Sequence, residues 1–318
     1  MLKYHKLLPQ AGLIYTFTPQ ISAFANYSKN LSVPGTDNLY NAFFFAANTP
    51  QAKPAPETTD SVDSGLRYRS SKIQAQVTGW YTKFNNRLAS AYDPELNATV
   101  YRNLGTVTKY GVDGSISYAP VKEFTLYAFG SYLKSKIQDN QQNGTLPVGV
   151  TCDTVTPDSA NARFCAFTAG KRESGAPVYT YGVSAVASLG PVDLGVTAKR
   201  TGKRYVFDDN RAIYVGDIAS PTQIYSAAAP AFWLVNLDAR VNLDSVGMKG
   251  TFIQFNAYNI FNKLYVGGFG GGLTQAQSTR TVAASGTTPA QTIPTYGAPP
   301  FVQIGAPRTL SASINLQF

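Results

Sequence analysis

The side chains that could carry out chemistry are few in this sequence and lie far apart. The only histidine is His5, and the only cysteines are Cys152 and Cys165. Together they do not make a ligand set for a transition metal, and a hydrolytic triad would need serine, histidine and an acid in register. The sequence therefore predicts a protein that is not an enzyme and that uses no metal or cofactor. Between metal ligation and a disulfide, it favours a disulfide between Cys152 and Cys165 in an oxidising compartment.

Two further motifs have a chemical interpretation and a plainer one. Asp208-Asp209-Asn210 offers oxygen ligands for calcium, but its spacing matches no EF-hand, so a polar loop is favoured. The glycine-rich run at 267–272 is similar to a phosphate loop. It lacks the Gly-Lys-Ser/Thr that ends that motif, so a flexible loop is the favoured interpretation.

The predicted secondary structure that holds these residues in place consists of β-strands. The last ten residues alternate between apolar and polar: Leu310, Ala312, Ile314, Leu316 and Phe318 stand against Thr309, Ser311, Ser313, Asn315 and Gln317. A strand places successive side chains on opposite faces, so this segment has one apolar and one polar face. The final residue, Phe318, is predicted to be a terminal assembly signal.

The same alternation recurs in eleven predicted strands, whose connections are alternately short and long. The long connections are predicted at 31–58, 88–105, 138–176, 206–230 and 266–306. The sixth strand, which begins at Phe124, is apolar on both faces, so its phase is ambiguous. Strict alternation of short turns and long loops is typical of a membrane barrel with its short turns in the periplasm. The predicted fold is all-β, an antiparallel transmembrane β-barrel fragment; a large soluble β-sandwich or propeller is the alternative.

Charge and aromatic placement agree with strands that cross a membrane. Each clear strand keeps charges off one face, where a mid-bilayer Lys or Arg would cost about 2–4 kcal/mol. Aromatic residues gather at strand ends, where interfacial girdles lie. No run approaches the roughly 20 apolar residues that a membrane-spanning helix needs. The amino terminus lacks the apolar region and cleavage site of a secretory signal.

Short stretches distributed along the chain carry a family resemblance. They lie at 9–15, 24–30, 38–40, 81–87, 103–105, 111–114, 256–265 and 306–308, and they include Tyr81-Thr82-Lys83-Phe84-Asn85-Asn86-Arg87 and Asn259-Ile260-Phe261-Asn262-Lys263. In order and spacing they resemble the carboxyl-terminal half of a TonB-dependent outer-membrane receptor. The similarity covers essentially the whole chain.

The resemblance implies a 22-stranded barrel around an amino-terminal plug, with a short box that contacts TonB, in the outer membrane of a Gram-negative bacterium. It implies energised uptake of a scarce nutrient, most often a ferric siderophore, otherwise cobalamin, haem or an oligosaccharide. The chain has no signal sequence, plug or box, so residues 1–318 are predicted to be one partial barrel, the second half of the 22 strands. TonB would be contacted only through the missing amino-terminal half. A passive porin or structural barrel is the alternative function, and a surface enzyme with His5 as its base is a third.

Aromatic and cationic residues in the long loops are candidate contacts for a small molecule such as a ferric chelate. They are Tyr40, Phe43, Phe44 and Phe45 in the first long loop and Arg211, Tyr214 and Tyr225 in the fourth. Packing of each loop on itself is the alternative. On the lumen face, the charged residues Asp63, Arg67, Asp113, Asp238 and Arg240 are expected to meet the plug or water.

The net charge of +9 does not indicate a nucleic-acid partner, because no base-stacking platform or recognition motif accompanies it. Six cations fall near the predicted outer ends of strands: Lys134, Lys136, Lys199, Arg200, Lys203 and Arg204. There they could meet the phosphates of lipopolysaccharide among the outer-membrane lipids, or attract an anionic ferric chelate. Solvated charge at the rim is the alternative.

Overall fold

A computed structural model describes residues 5–33, 56–93, 98–142, 146–157, 159–275, 277–285 and 289–317. Eleven strands form one sheet in which each strand pairs with its neighbours in chain order, and every pairing is antiparallel. They are β1 Gln10–Thr16, β2 Ile21–Ser32, β3 Glu57–Arg69, β4 Ile73–Asn85, β5 Val107–Val121, β6 Phe124–Ile137, β7 Tyr179–Leu189, β8 Val192–Thr201, β9 Phe232–Asn242, β10 Phe252–Tyr258 and β11 Thr309–Asn315.

The eleven predicted strands and their antiparallel order are confirmed. Their ends differ slightly from the prediction. β6 continues to Ile137, beyond the segment from Phe124 to Tyr132 that is apolar on both faces. β1 ends at Thr16, and Phe17, which continues the apolar alternation of Leu13 and Tyr15, begins the turn.

Five long connections, L1 (33–56), L2 (86–106), L3 (138–178), L4 (202–231) and L5 (259–308), leave one end of the sheet. We take this end as the outer end, because membrane barrels place long loops outside. The short turns lie at the other end.

The connections L2 to L5 contain two-stranded ribbons, which corrects their prediction as plain loops. The paired segments are Leu88–Asp93 with Ala98–Asn103, Gln141–Gln142 with Cys165–Ala166, Arg204–Tyr205 with Ala228–Ala229, Ile213–Val215 with Thr222–Tyr225, Val266–Phe269 with Val302–Ile304, and Gln277–Val282 with Gln291–Tyr296. Short 3-10 turns occupy Ala162–Phe164 and Asp244–Val246. The ribbons are too short to show the long two-residue alternation that reveals a membrane strand. Among the described residues, no helix has the length and apolar character to cross a bilayer.

Strand register separates the sheet into an outward and an inner face. On the outward face the direct partners are apolar: Leu237 of β9 lies opposite Val196 of β8 and Ala257 of β10. Large apolar side chains there remain exposed, with Val112 at 52% and Leu310 at 73%. An exposed apolar band across all strands is what a lipid-facing wall requires.

The inner face is polar and carries the lumen charges. Arg240 of β9 lies opposite Asp193 of β8 and Gln254 of β10. The ambiguous phase of β6 is settled by its pairing, because Leu126 lies opposite the outward Tyr118. Tyr127 of β6 therefore faces inward.

Both edges of the sheet are open in the described part of the chain. β1 pairs with β2 alone, and β11 pairs with β10 alone. Because eleven antiparallel strands alternate in direction, β1 and β11 run the same way. Joining them to each other would create a parallel pair, so antiparallel closure requires an odd number of further strands.

Candidate ligand-gathering surface at the outer end of the sheet

Two of the predicted ligand contacts in L4 come together with a tyrosine of L5. The Tyr214 and Tyr296 rings stack with centroids 5.4 Å apart and planes inclined by 29°. Arg211, which is exposed, donates from Nη2 to the Tyr296 hydroxyl at 3.4 Å. We call Arg211, Tyr214 and Tyr296 the aromatic–cation cluster. A guanidinium beside stacked rings can contact an anionic or aromatic ligand through charge and through π faces.

Gln275 holds the aromatic–cation cluster in position. Its side chain is buried, accepts from the Tyr214 backbone N–H at 3.0 Å and donates to the Tyr214 carbonyl at 2.7 Å. The same amide donates to the Gly297 carbonyl at 3.2 Å, next to Tyr296. Sequence reasoning missed both L5 residues. The aromatic criterion applied to L4 would have found Tyr296, but no local pattern marks Gln275.

Tyr225, the third predicted contact in L4, has a different environment. It lies opposite Ile213 in the ribbon. It is half-buried against a small apolar core formed by Val206, Phe207 and Ile213, with Phe269 from L5. Its observed contacts are packing contacts, and a role in ligand contact stays a prediction.

The Asp208-Asp209-Asn210 segment ties three long connections together. Asp208 Oδ1 accepts from the Ser174 backbone N–H of L3 at 2.6 Å, and Asp209 Oδ2 accepts from the Thr274 hydroxyl of L5 at 2.5 Å. Asn210 accepts from the Arg172 backbone N–H and donates to the Arg172 carbonyl, both at 2.9 Å. The predicted polar loop is therefore an interlock between L3, L4 and L5.

Burial changes the ionisation of these carboxyls. Asp208 and Asp209 are each 4% exposed. Desolvation raises the pKa of Asp208 to about 6, against the opposing effect of its bond from Ser174. Desolvation also raises the pKa of Asp209. No group of three His, Cys, Asp or Glu side chains that could hold a metal ion occurs in the described ranges.

A second interlock is ionic and lies on the inner face below the long connections. Arg87 of L2 donates to Glu57 at the start of β3 at 3.0 Å and to Glu173 of L3 at 3.1 Å. Lys109 of β5 lies 2.5 Å from the other Glu173 oxygen. The Phe84 ring lies beneath both cations, 4.7 Å from the Arg87 guanidinium and 5.1 Å from Lys109 Nζ. The two positive charges are thus balanced by two negative charges at the lumen mouth. The ion pairs fix L2 to L3.

Five of the six predicted rim cations keep positions from which they can meet solvent or a partner. Lys134, Lys136, Lys199 and Lys203 are exposed, and Arg200 is half-buried. For Arg204 the prediction of a rim cation is wrong. Its guanidinium donates to the backbone carbonyls of Val266 and Gly267 and lies near the Phe232 ring, so it joins L4 to L5 instead of forming a rim charge. Desolvation lowers its pKa.

Cys152 and Cys165 are bonded to each other in L3, at a separation of 13 in sequence. Leu146, Val150 and Phe167 pack against the buried pair. The disulfide closes a small apolar unit within the loop and contributes nothing to metal binding.

The lumen charges have local partners. Asn26 donates to Asp63 at 2.9 Å, and Arg67 donates to Gln76 at 2.9 Å while lying 4.2 Å from the Phe24 ring centroid. The remaining three, Asp113, Asp238 and Arg240, share the same inner face through the strand register. The predicted contacts Tyr40, Phe43, Phe44 and Phe45, and the terminal Phe318, lie outside the described residues.

Comparison with known proteins identifies the architecture. A family model described as TonB dependent receptor-like, beta-barrel, matches residues 2–260. No curated protein sequence matches the chain. The fold is similar to the ferric yersiniabactin uptake receptor FyuA of Yersinia pestis, with 13% identity over 97% of this chain and 37% of that one, and a TM-score of 0.58.

Two more solved structures agree. The ferric citrate transporter FecA has 14% identity over 98% of this chain and 38% of its own, with a TM-score of 0.61. The ferric-catecholate import receptor Fiu of E. coli has 15% identity over 97% of this chain and 34% of its own, with a TM-score of 0.57. The chain thus spans less than two-fifths of the length of each of these three receptors.

Proposed function

Because the chain belongs to the TonB-dependent receptor β-barrel family, we propose that it forms the second half of the barrel wall of an outer-membrane receptor that imports a ferric siderophore. Cobalamin, haem and an oligosaccharide are the other cargoes open to this family. The family is one of transport receptors, and neither an enzyme nor a passive porin is favoured by membership in it.

The single observation that carries the choice of cargo is the aromatic–cation cluster. Arg211 supplies a positive charge at an exposed position, and Tyr214 and Tyr296 supply stacked rings beside it. A ferric siderophore complex is commonly anionic and presents flat, unsaturated chelating groups, so both features match it. Tyr40, Phe43, Phe44 and Phe45 of L1, and Tyr225, complete the proposed gathering surface.

The names of structural relatives support an iron chelate without fixing which one. The similar proteins named above take up ferric yersiniabactin, ferric citrate and ferric catecholates. A similar fold also belongs to the copper transporter OprC. We therefore keep the chelate class in the proposal and leave the individual siderophore to experiment.

The remaining parts of the receptor are proposed to lie in sequence upstream of this chain. The sheet needs an odd number of further strands for antiparallel closure, and eleven more would give a 22-stranded barrel. The plug, the TonB box and the secretory signal would belong to the same upstream part. TonB would then contact the receptor only through that part, and the charges Asp63, Arg67, Asp113, Asp238 and Arg240 would face the plug.

The test is nutrient growth with the protein encoded when the reading frame is extended upstream, which we call the extended receptor. We expect it to restore growth on a ferric siderophore as sole iron source, in a TonB-dependent manner. The double variant Arg211→Ala/Tyr214→Ala should weaken ligand binding by about tenfold, the loss typical of an exposed aromatic–cation contact.

The control is Arg280→Ala, because Arg280, like Arg211, is an exposed cation, but its partner is Asp217 at 3.3 Å and not a ring of the aromatic–cation cluster. Growth that is restored only on cobalamin, haem or glycan sources would contradict the siderophore as cargo and would identify the cargo instead. TonB-independent uptake of unrelated small solutes would contradict the receptor and support a porin.

A further inference from the structure

L4 and L5 meet along two short segments that lie side by side. Phe207 and Gly272 form a parallel bridge. The backbone N–H groups of Asp208 and Asp209 then donate to the carbonyls of Gly272 and Leu273, both at 3.0 Å. From this junction L4 continues into the aromatic–cation cluster, and L5 continues into the glutamine that supports the cluster.

The side chain of Asp209 bonds to both loops at this junction. Its Oδ1 accepts from the Arg211 backbone N–H at 3.1 Å, and its Oδ2 accepts from the Thr274 hydroxyl at 2.5 Å. Arg211 is the cation of the cluster. Thr274 directly precedes Gln275, whose amide bonds to the backbone of Tyr214 on both sides. Because Asp209 is only 4% exposed, it acts on a ligand through these neighbours and not by contact.

The two polar side chains that flank Asp209 are bonded to a different loop. Asp208 accepts from the Ser174 backbone N–H, and Asn210 exchanges two hydrogen bonds with the Arg172 backbone, all in L3. Within the described residues, Asp209 is therefore the one side chain of this segment that is bonded to L5. The segment has two separate tasks, one toward L3 and one toward the cluster.

We propose that Asp209 and Thr274 are positioning residues for ligand contact, because their hydrogen bond sets the spacing between the L4 and L5 parts of the aromatic–cation cluster. A surface built from two loops binds fully only while both parts face the ligand, and its apparent Kd rises as that arrangement becomes less populated. A buried carboxylate oxygen that loses its donor favours arrangements in which it reaches water, so the loops separate. This inference rests on the proposed function and adds the residues that set the affinity of the same surface.

The test measures the Kd of the extended receptor for ferric citrate, ferric yersiniabactin and a ferric catecholate, the chelates named for the structural relatives, by calorimetric titration. Thr274→Val removes the hydroxyl with little change of shape, and it should raise the Kd of the chelate that binds most tightly by about fivefold. Thr274→Ser keeps the hydroxyl and should stay within about twofold of the unmodified receptor. Thr274→Ala, which also lacks the hydroxyl, replaces the valine variant if that variant does not fold.

The matched control is Thr168→Val. Thr168 is fully buried, and its hydroxyl donates to the Asp139 carbonyl at 2.8 Å within L3. The same substitution there removes a buried hydrogen bond that does not lead to the cluster, so it should lower the thermal unfolding midpoint and leave the Kd unchanged. An equal rise of the Kd in both valine variants would overturn the positioning role.

A double-mutant cycle shows whether Thr274 acts through the cluster. In the Arg211→Ala/Tyr214→Ala receptor, adding Thr274→Val should raise the Kd by less than about twofold, because the groups that it positions are already absent. A further loss as large as in the unmodified receptor would place the effect of Thr274 elsewhere and would overturn the inference.

A measurement without ligand separates this inference from the proposed cargo. The Tyr214 backbone N–H donates to the Gln275 side chain, so its hydrogen exchange reports whether the cluster is held. Exchange should be about fivefold faster in Thr274→Val than in Thr168→Val. Equal exchange would overturn the positioning role. Faster exchange in a receptor that binds none of the ferric chelates would count against the proposed cargo and leave the positioning of the cluster standing.

Discussion

Trp80 on β4 lies directly opposite Gly111 on β5, on the inner face of the sheet. A Cβ atom added to Gly111 would stand 2.8 Å from Trp80 Cζ2 and would also collide with the Tyr132 carbonyl oxygen. The same arrangement recurs across the sheet, where Phe24 lies opposite Gly65 and Phe129 opposite Gly182. Each large inner ring thus covers the backbone of the next strand, and glycine leaves the room for it.

Replacing Gly111 by alanine is expected to destabilise the folded sheet by about 1–3 kcal/mol, the usual cost of forcing atoms into a filled site. The measurement is the free energy of unfolding of the extended receptor in lipid, by urea titration. Gly79 is the control, since it lies on the outward face of the adjacent strand and a Cβ there would meet nothing within 4 Å. A Gly79→Ala loss as large as that of Gly111→Ala would contradict the account of ring packing.

The ionic interlock predicts a large effect for one arginine and a small one for another. Arg87→Met leaves Glu57, which is 5% exposed, without its cation. We expect a loss of about 3 kcal/mol, because a buried charge is left unpaired. Arg280→Met breaks an ion pair whose arginine side chain is 60% exposed, and it should cost at most about 1 kcal/mol. Thermal unfolding of both variants checks the difference, and similar losses would argue against the interlock.

The raised pKa of Asp208, about 6, predicts a loop region that is more stable in mild acid. The folded state holds the proton more tightly than the unfolded state, whose pKa is 3.8. Stability therefore falls as pH rises from about 4 to about 6, by about 1–3 kcal/mol in total, and is constant above that range.

Hydrogen exchange of L3 and L4 amides between pH 4 and 7.5, corrected for intrinsic rates, measures this dependence. In Asp208→Asn, which cannot ionise, protection is expected to lose most of its pH dependence. Asp217→Asn changes a carboxyl that is outside the interlock and should keep the dependence. A pH profile unchanged in Asp208→Asn would show that another group is responsible.

The disulfide between Cys152 and Cys165 predicts that L3 is resistant to proteolysis until it is reduced. Closing a loop of this length restricts the unfolded segment by about 3 kcal/mol, so reduction or Cys152→Ser/Cys165→Ser should speed cleavage within 146–167 by at least about tenfold. Cleavage elsewhere in the receptor serves as the internal control. Equal cleavage of the oxidised and reduced forms would contradict a stabilising role.

The sequence is informative wherever the physical cause is local. Alternation at Leu310, Ala312 and Ile314 reveals two faces because side-chain direction depends only on position along the strand. The phase of β6 could not be read this way, since Tyr127 and Leu126 are both apolar and only pairing with β5 distinguishes them.

The site was less accessible to prediction because its contacts join distant segments. Arg204 looks like a rim charge beside Lys203, yet its hydrogen-bond partners lie 62 and 63 positions away. Gln275 reaches Tyr214 across 61 positions. In the sequence Asp208 is an ordinary polar loop residue, because its burial depends on the packing of three loops that are distant in sequence.

Whether the apolar face of the sheet meets lipid is tested most directly by comparing two adjacent positions on β5. Spin labels at Val112→Cys and at Asp113→Cys in the extended receptor, in lipid bilayers, report access to oxygen, which concentrates in the hydrocarbon core. We expect high oxygen access for the label at Val112, which faces outward, and low oxygen access for the label at Asp113, which faces the interior. Low oxygen access at both positions would mean that the apolar face is buried inside a protein body, and it would contradict a membrane-spanning barrel wall.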